Sequence, residues 1–134
     1  MSKTLFLLFL LLNTCYLEDL DNVRVFEIKE KQYNGDEIRI RYGEIFALKF
    51  YSNPSTGYSM HYLNKDEVNN SISYLTSKYV SQTSEIPVDG LGGHEFFYFK
   101  GVKVTNETQT LNFSYSRGKK ENALIRYSVK ISVY

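Results

Sequence analysis

Few side chains in this chain could do covalent chemistry. Its 134 residues include two histidines, His61 and His94, and one cysteine, Cys15. A serine nucleophile needs a histidine base oriented by a third group. Neither histidine lies in a Gly-x-Ser-x-Gly or His-Glu-x-x-His pattern: His94-Glu95 begins like the second, but no further histidine follows. A metal site would draw on the same two histidines and on acids scattered as Asp36-Glu37 and Asp66-Glu67, without ligand spacing. Those pairs read as solvated turns, so neither a metal nor a cofactor is expected. Carboxylate pairs of the glycosidase type meet only in space. A small hydrolase using acids and His94 therefore stands as a third reading; it requires substrate turnover that His94→Ala abolishes. Catalysis is not the expectation.

Binding chemistry is better represented. In Asn53-Pro54-Ser55-Thr56-Gly57, Pro54 sets φ for the second position of a turn and Asn53 can accept a backbone hydrogen bond. Gly57 can take positive φ where the chain re-enters a strand, which gives a stiff, blunt projection. In Gly90-Leu91-Gly92-Gly93, three of four positions lack side chains, so another surface can approach the backbone closely and Leu91 is left as an apolar tip. No Lys-Ser/Thr follows and no helix opens, so a nucleotide cradle fails on context. A third polar stretch, Arg117-Gly118-Lys119-Lys120-Glu121-Asn122, is too long for a two-residue turn. Each stretch taken alone is also consistent with an ordinary tight turn.

These loops need strands to carry them, and strand patterning dominates. Ile125, Tyr127, Val129, Ile131 and Val133 alternate with Arg126, Ser128, Lys130 and Ser132, the mark of a half-buried strand. Leu111, Phe113 and Tyr115 alternate in the same way with Asn112, Ser114 and Ser116, and the two segments should pair as a hairpin around the Arg117 loop. Segments 23–28, 38–42, 45–51, 58–62, 71–80 and 96–104 read as further strands, with turn signals at Asn34-Gly35 and Tyr42-Gly43-Glu44. No stretch sustains apolar spacing of helical period. The expected fold is all-β, an immunoglobulin-like sandwich of about seven to eight antiparallel strands without a disulfide.

Composition agrees with a packed domain. Hydrophobic residues make up 43% and aromatic residues 16%, with 12 Tyr, 9 Phe and no Trp, so rings must fill much of the core. The formal charge of +1 is too small for the basic field that holds nucleic acid. Lys3 precedes an unbroken apolar run, Leu5 to Leu12, which then turns polar at Asn13-Thr14; this reads as a signal peptide, residues 1–15, cleaved after Cys15. The run is far short of the ~20 apolar residues a membrane span needs. The mature domain would be residues 16–134, without cysteine, routed through a secretory pathway to the outside or to a lysosome-like or phagosome-like lumen. Asn69, Asn106 and Asn112 head glycosylation sequons that such routing would make available.

The three loops, in this order on such a sandwich, resemble those of the chagasin family of cysteine peptidase inhibitors. That family carries an N-P-T-T-G-[YF] loop, a G-x-G-G loop and an R-P-W-like loop; here they stand as Asn53-Pro54-Ser55-Thr56-Gly57-Tyr58, Gly90-Leu91-Gly92-Gly93 and Arg117-Gly118. The likeness runs from about Asn34 to the end of the chain. The aromatic strand Phe96-Phe97-Tyr98-Phe99 follows the second loop, and Gly118-Lys119 replaces Pro-Trp in the third. The resemblance implies a reversible, non-covalent inhibitor of papain-like cysteine peptidases that needs no cofactor and is not consumed as a substrate. Thr56 would lie closest to the catalytic cysteine, Asn53, Pro54 and Gly57 would hold the tip rigid, and Leu91 and its glycines would contact the substrate-binding side. Arg117, Lys119 and Lys120 would replace the missing ring with charge, acting mostly on the association rate. Three loops on one end of a small sandwich would suit an interface of roughly 800 Å² per partner, and a monomer suffices. The alternative is an immunoglobulin-like adhesion or carbohydrate-binding module, stacking ligands on a tyrosine row drawn from Tyr58, Tyr62, Tyr74, Tyr79 and Tyr98.

Overall fold

The computed structural model describes residues 22–29, 37–65, 67, 71–83, 91–118 and 122–134. Among them run eight strands: β1 (Arg24–Ile28), β2 (Ile38–Ile40), β3 (Ile45–Ser52), β4 (Tyr58–Tyr62), β5 (Ile72–Ser81), β6 (Gly93–Gly101), β7 (Gln109–Arg117) and β8 (Ala123–Val133). They form two four-stranded sheets, ordered β1-β3-β6-β5 and β2-β8-β7-β4, which face each other as an immunoglobulin-like sandwich. A single cysteine cannot form a disulfide within one chain, so the sheets are held by packing.

Period-two alternation places Phe46, Leu48 and Phe50 of β3 on the inner face, against Phe97 and Phe99 of β6. The other sheet contributes Leu111, Phe113 and Tyr115 from β7 and Val129, Ile131 and Val133 from β8. Rings bridge the layers: Phe50 meets Phe113 with centroids 4.6 Å apart, and Tyr62 meets Phe99 edge-on at 5.2 Å. Full burial of one such side chain stabilises the fold by about 1.5–3 kcal/mol, so this aromatic cluster carries the domain. Tyr62, buried there, has its hydroxyl pKa pushed up to about 12, chiefly by loss of hydration and then by the nearby Glu67 carboxylate.

The hairpin of β7 and β8 forms as the alternation predicts, with Leu111 opposite Val129 and Phe113 opposite Tyr127. Three features differ from expectation. The outer pairings are not antiparallel: β1 runs parallel to β3, and β2 parallel to β8. After β1 the chain crosses to the opposite sheet as β2 before returning as β3, and such a crossover brings it back in the same direction. Ser114 and Ser116, expected on the solvent side of β7, are fully buried. Ser114 is flanked in register by the larger His61 and Arg126, between which a small side chain is shielded. Finally, β6 begins at Gly93 and ends at Gly101 rather than spanning 96–104, so the last glycine of the second loop is already a strand residue.

Candidate functional site

Register places the three loops together. Ser52, at the end of β3, is paired with Gly93 at the start of β6, and Gly93 with Ser81 of β5. In the other sheet Tyr58, at the start of β4, is paired with Arg117 at the end of β7. The first loop connects Ser52 to Tyr58 across the sandwich, so all three loops leave from one end. Gly90 and Lys119 of the expected set, with Lys120 and Glu121, lie outside the described residues, as do the segment 1–15 and the sequon asparagine Asn69.

The first loop is a short 3-10 turn, Pro54–Thr56, with Pro54 at its first position, where a missing N–H leaves no bond unmade. The Asn53 carbonyl accepts from the Thr56 N–H at 3.1 Å and from the Thr56 hydroxyl at 2.6 Å; the Ser55 hydroxyl donates to the Asn53 side chain at 2.5 Å. Gly57 closes the turn at φ +85°, donating its N–H to the Pro54 carbonyl at 2.9 Å. That left-handed value costs a residue bearing Cβ roughly 1–2 kcal/mol, so the expected role of Gly57 holds. Pro54, Ser55, Thr56 and Gly57 are all exposed.

Strand β7 braces this loop from outside it. The Tyr115 hydroxyl accepts the Asn53 N–H at 3.1 Å. The Arg117 guanidinium donates to the Thr56 carbonyl at 2.7 Å and lies over the Tyr58 ring, 4.8 Å from its centroid. Arg117, read from the sequence as a residue of the third loop, thus contacts the first. A Cβ on Gly57 would come within 3.1 Å of Arg117 Nε, so glycine there serves the arginine as well as the turn. Gly118 takes φ +69° as the chain leaves β7.

The second loop is shaped by close approach. Gly92 has φ +72°, and a Cβ there would lie 2.7 Å from the Tyr51 hydroxyl oxygen; at Gly93 it would lie 2.2 Å from the Val80 carbonyl oxygen. The Gln82 N–H donates to the Gly92 carbonyl at 2.9 Å, closing the β5–β6 connection. Leu91 is half-buried rather than free at a tip.

Beneath both loops Glu95 turns inward from β6 and accepts the Met60 N–H of β4 at 2.9 Å, tying one sheet to the other. Burial pushes its carboxyl pKa up, partly offset by the hydrogen bond from Met60. Neither Glu95 nor the bracing tyrosines, Tyr51 and Tyr115, were singled out as site residues. Tyr115 and Asn53 are 62 positions apart, and only the strand register joins them.

The arrangements for other chemistry are not assembled. His61 and His94 sit on different sheets. Ser59 Oγ lies 3.3 Å from His61 Nε2, but Glu95 is directed to Met60 and supplies no third member. No group of three or more potential metal ligands occurs among the described residues. Of the tyrosine row, Tyr62 and Tyr98 are buried and Tyr58 and Tyr74 pack on the core, leaving Tyr79 exposed. Among the sequons, Asn106 is exposed, whereas Asn112 lies in β7 with its side chain accepting from Ser128.

Residues 39–133 match the family described as Chagasin family peptidase inhibitor I42. The chain belongs to the chagasin family. That family is one of peptidase inhibitors, not of enzymes. Solved structures with the same fold include EhICP2, a cysteine protease inhibitor from Entamoeba histolytica, 18% identical over 84% of this chain and 95% of that one, with a TM-score of 0.56. Amebosin is 22% identical over 83% of this chain and 98% of its own, with a TM-score of 0.58. PbICP-C, solved in complex with falcipain-2, is 20% identical over 83% and 99%, with a TM-score of 0.53. A comparison with curated protein sequences finds no match. The chagasin-family match covers all three loops and every strand from β3 onward.

Proposed function

We propose that this chagasin-family protein inhibits papain-like cysteine peptidases reversibly, by lodging the end of the sandwich that carries its three loops in the active-site groove. The observation that carries the reading is the common origin of the loops at one end, with the first already locked by Tyr115 and Arg117. A loop held in its binding shape loses little conformational entropy on association and keeps more of its contact energy. Thr56, exposed at the tip of the first loop, is the residue assigned to the catalytic centre; Leu91, Gly92 and Gly93 flank it on one side and Gly118 on the other. The family comparison supports this target class, since PbICP-C was solved with falcipain-2.

Passage through a secretory pathway after loss of residues 1–15, and glycosylation at the exposed Asn106, belong to the same proposal. Its test is a titration of residues 16–134 into papain with a fluorogenic substrate. Stoichiometric loss of activity with intact inhibitor is the expected result; no inhibition of papain or of related peptidases by folded protein overturns it. Thr56→Glu, which sets a bulky charge at the tip without touching the core, should weaken inhibition by about a hundredfold or more while costing stability no more than the one exposed hydroxyl bond to Asn53, about 1 kcal/mol.

A further inference from the structure

A peptide loop placed against a catalytic cysteine ought to be cut, and the geometry of Thr56-Gly57 bears on why it would not be. Hydrolysis requires the peptidase thiolate to bond to a carbonyl carbon while the carbonyl oxygen takes up negative charge in the oxyanion hole. The C–N bond then breaks, the amine leaves with a proton from the peptidase's acid, and water later releases the carboxylate. Both polar atoms of the Thr56–Gly57 peptide unit are already engaged within this protein. The Thr56 carbonyl oxygen accepts from Arg117 Nη2 at 2.7 Å, and the Gly57 N–H donates to the Pro54 carbonyl at 2.9 Å. The left-handed Gly57, φ +85°, also holds the chain away from an extended form.

We propose that Arg117 is the positioning residue that keeps the Thr56–Gly57 bond from being hydrolysed, and so makes the first loop an inhibitor's loop rather than a substrate's. Its guanidinium is planar and lies over the Tyr58 ring, so its fork reaches the Thr56 oxygen from a fixed direction. An oxygen held there cannot turn into an oxyanion hole without giving up a charge-assisted hydrogen bond. The first loop and the root of the third thereby form one rigid body, even though Gly118 stands where the family has proline. This rests on the inhibitory reading above for the identity of the attacking enzyme.

Arg117→Ala and Arg117→Lys test it. With a small molar fraction of papain and mass-spectrometric readout, the parent stays intact and Arg117→Ala is cut between Thr56 and Gly57. Initial inhibition by Arg117→Ala falls about tenfold, the loss of one charge-assisted hydrogen bond. Arg117→Lys keeps a donor but not the planar stack, and is cut more slowly. In the free proteins, amide exchange at Gly57 accelerates in Arg117→Ala while that at Phe113, in the core of β7, is unchanged. An Arg117→Ala variant that stays uncut, with unaltered exchange at Gly57, overturns the proposal. Weakened inhibition by an uncut variant also overturns it and makes Arg117 a direct contact. If the parent is uncut yet fails to inhibit, the inhibitory reading falls; the cleavage and exchange comparison of parent with Arg117→Ala still decides the role of Arg117.

Discussion

The first and second loops leave the same end of the sandwich and owe their shapes to opposite causes. The first is held by groups that are present: Tyr115, Arg117, the Thr56 hydroxyl and the Pro54 ring each restrict it. The second is shaped by groups that are absent, since Gly92 and Gly93 let Tyr51, Tyr79 and the β5 backbone close on positions where a side chain would not fit. A loop built from hydrogen bonds loses them one at a time and loosens by degrees. A loop built from missing atoms tolerates no addition, and a single methyl there disturbs the sheet beneath it.

Gly93→Ala is the strongest test of that difference. Its methyl would meet backbone, the Val80 carbonyl at 2.2 Å and Ser81 Cα at 2.8 Å, so relief requires β5 to shift. Denaturant unfolding should report a loss of about 3 kcal/mol. Gly92→Ala is milder, because its nearest neighbour is the end of a movable side chain, the Tyr51 hydroxyl at 2.7 Å, and positive φ remains the main penalty. About 1.5 kcal/mol is expected, and Tyr51→Phe in the same chain should recover part of it, whereas no side-chain removal rescues Gly93→Ala.

In the first loop, Tyr115→Phe keeps the ring and removes the acceptor for the Asn53 N–H. The loss should be about 1 kcal/mol, with inhibition weakened more than stability, since the loop is freed and the core is not. A stability loss as large as that of Gly93→Ala would erase the distinction between the two loops.

The smallest effect concerns Glu95, which lies under both loops. Folding raises its carboxyl pKa above the ordinary 4.5, so the folded chain binds that proton more tightly than the unfolded one. Its contribution is fully favourable below about pH 4.5 and is lost as pH rises through the raised folded value. Glu95→Gln retains an acceptor for the Met60 N–H and has no such loss. The stability difference between variant and parent should therefore favour the variant at neutral pH and shrink as pH falls, measured by thermal unfolding across that range. A difference independent of pH would show that Glu95 acts through its hydrogen bond alone.

Much of this was legible along the chain because it is local. Alternation of apolar residues in β7 and β8 needs only neighbours two positions apart to define a face, and Pro54 and Gly57 carry their dihedral preferences with them. The three motifs in their order carry a resemblance to the chagasin family, which implies a peptidase inhibitor, and the family match supports that class. What the tertiary structure decided is which groups meet. The same local pattern fits a parallel or an antiparallel neighbour, so the crossover of β1, β2 and β3 fixed the parallel outer pairings. It also decided that Arg117 contacts Thr56, 61 positions away in the chain, that Tyr115 holds Asn53, and that Glu95 reaches the opposite sheet. Periodicity and turn chemistry are properties of a few consecutive residues, whereas a hydrogen bond between distant strands depends on register, which exists only once the sheets have paired.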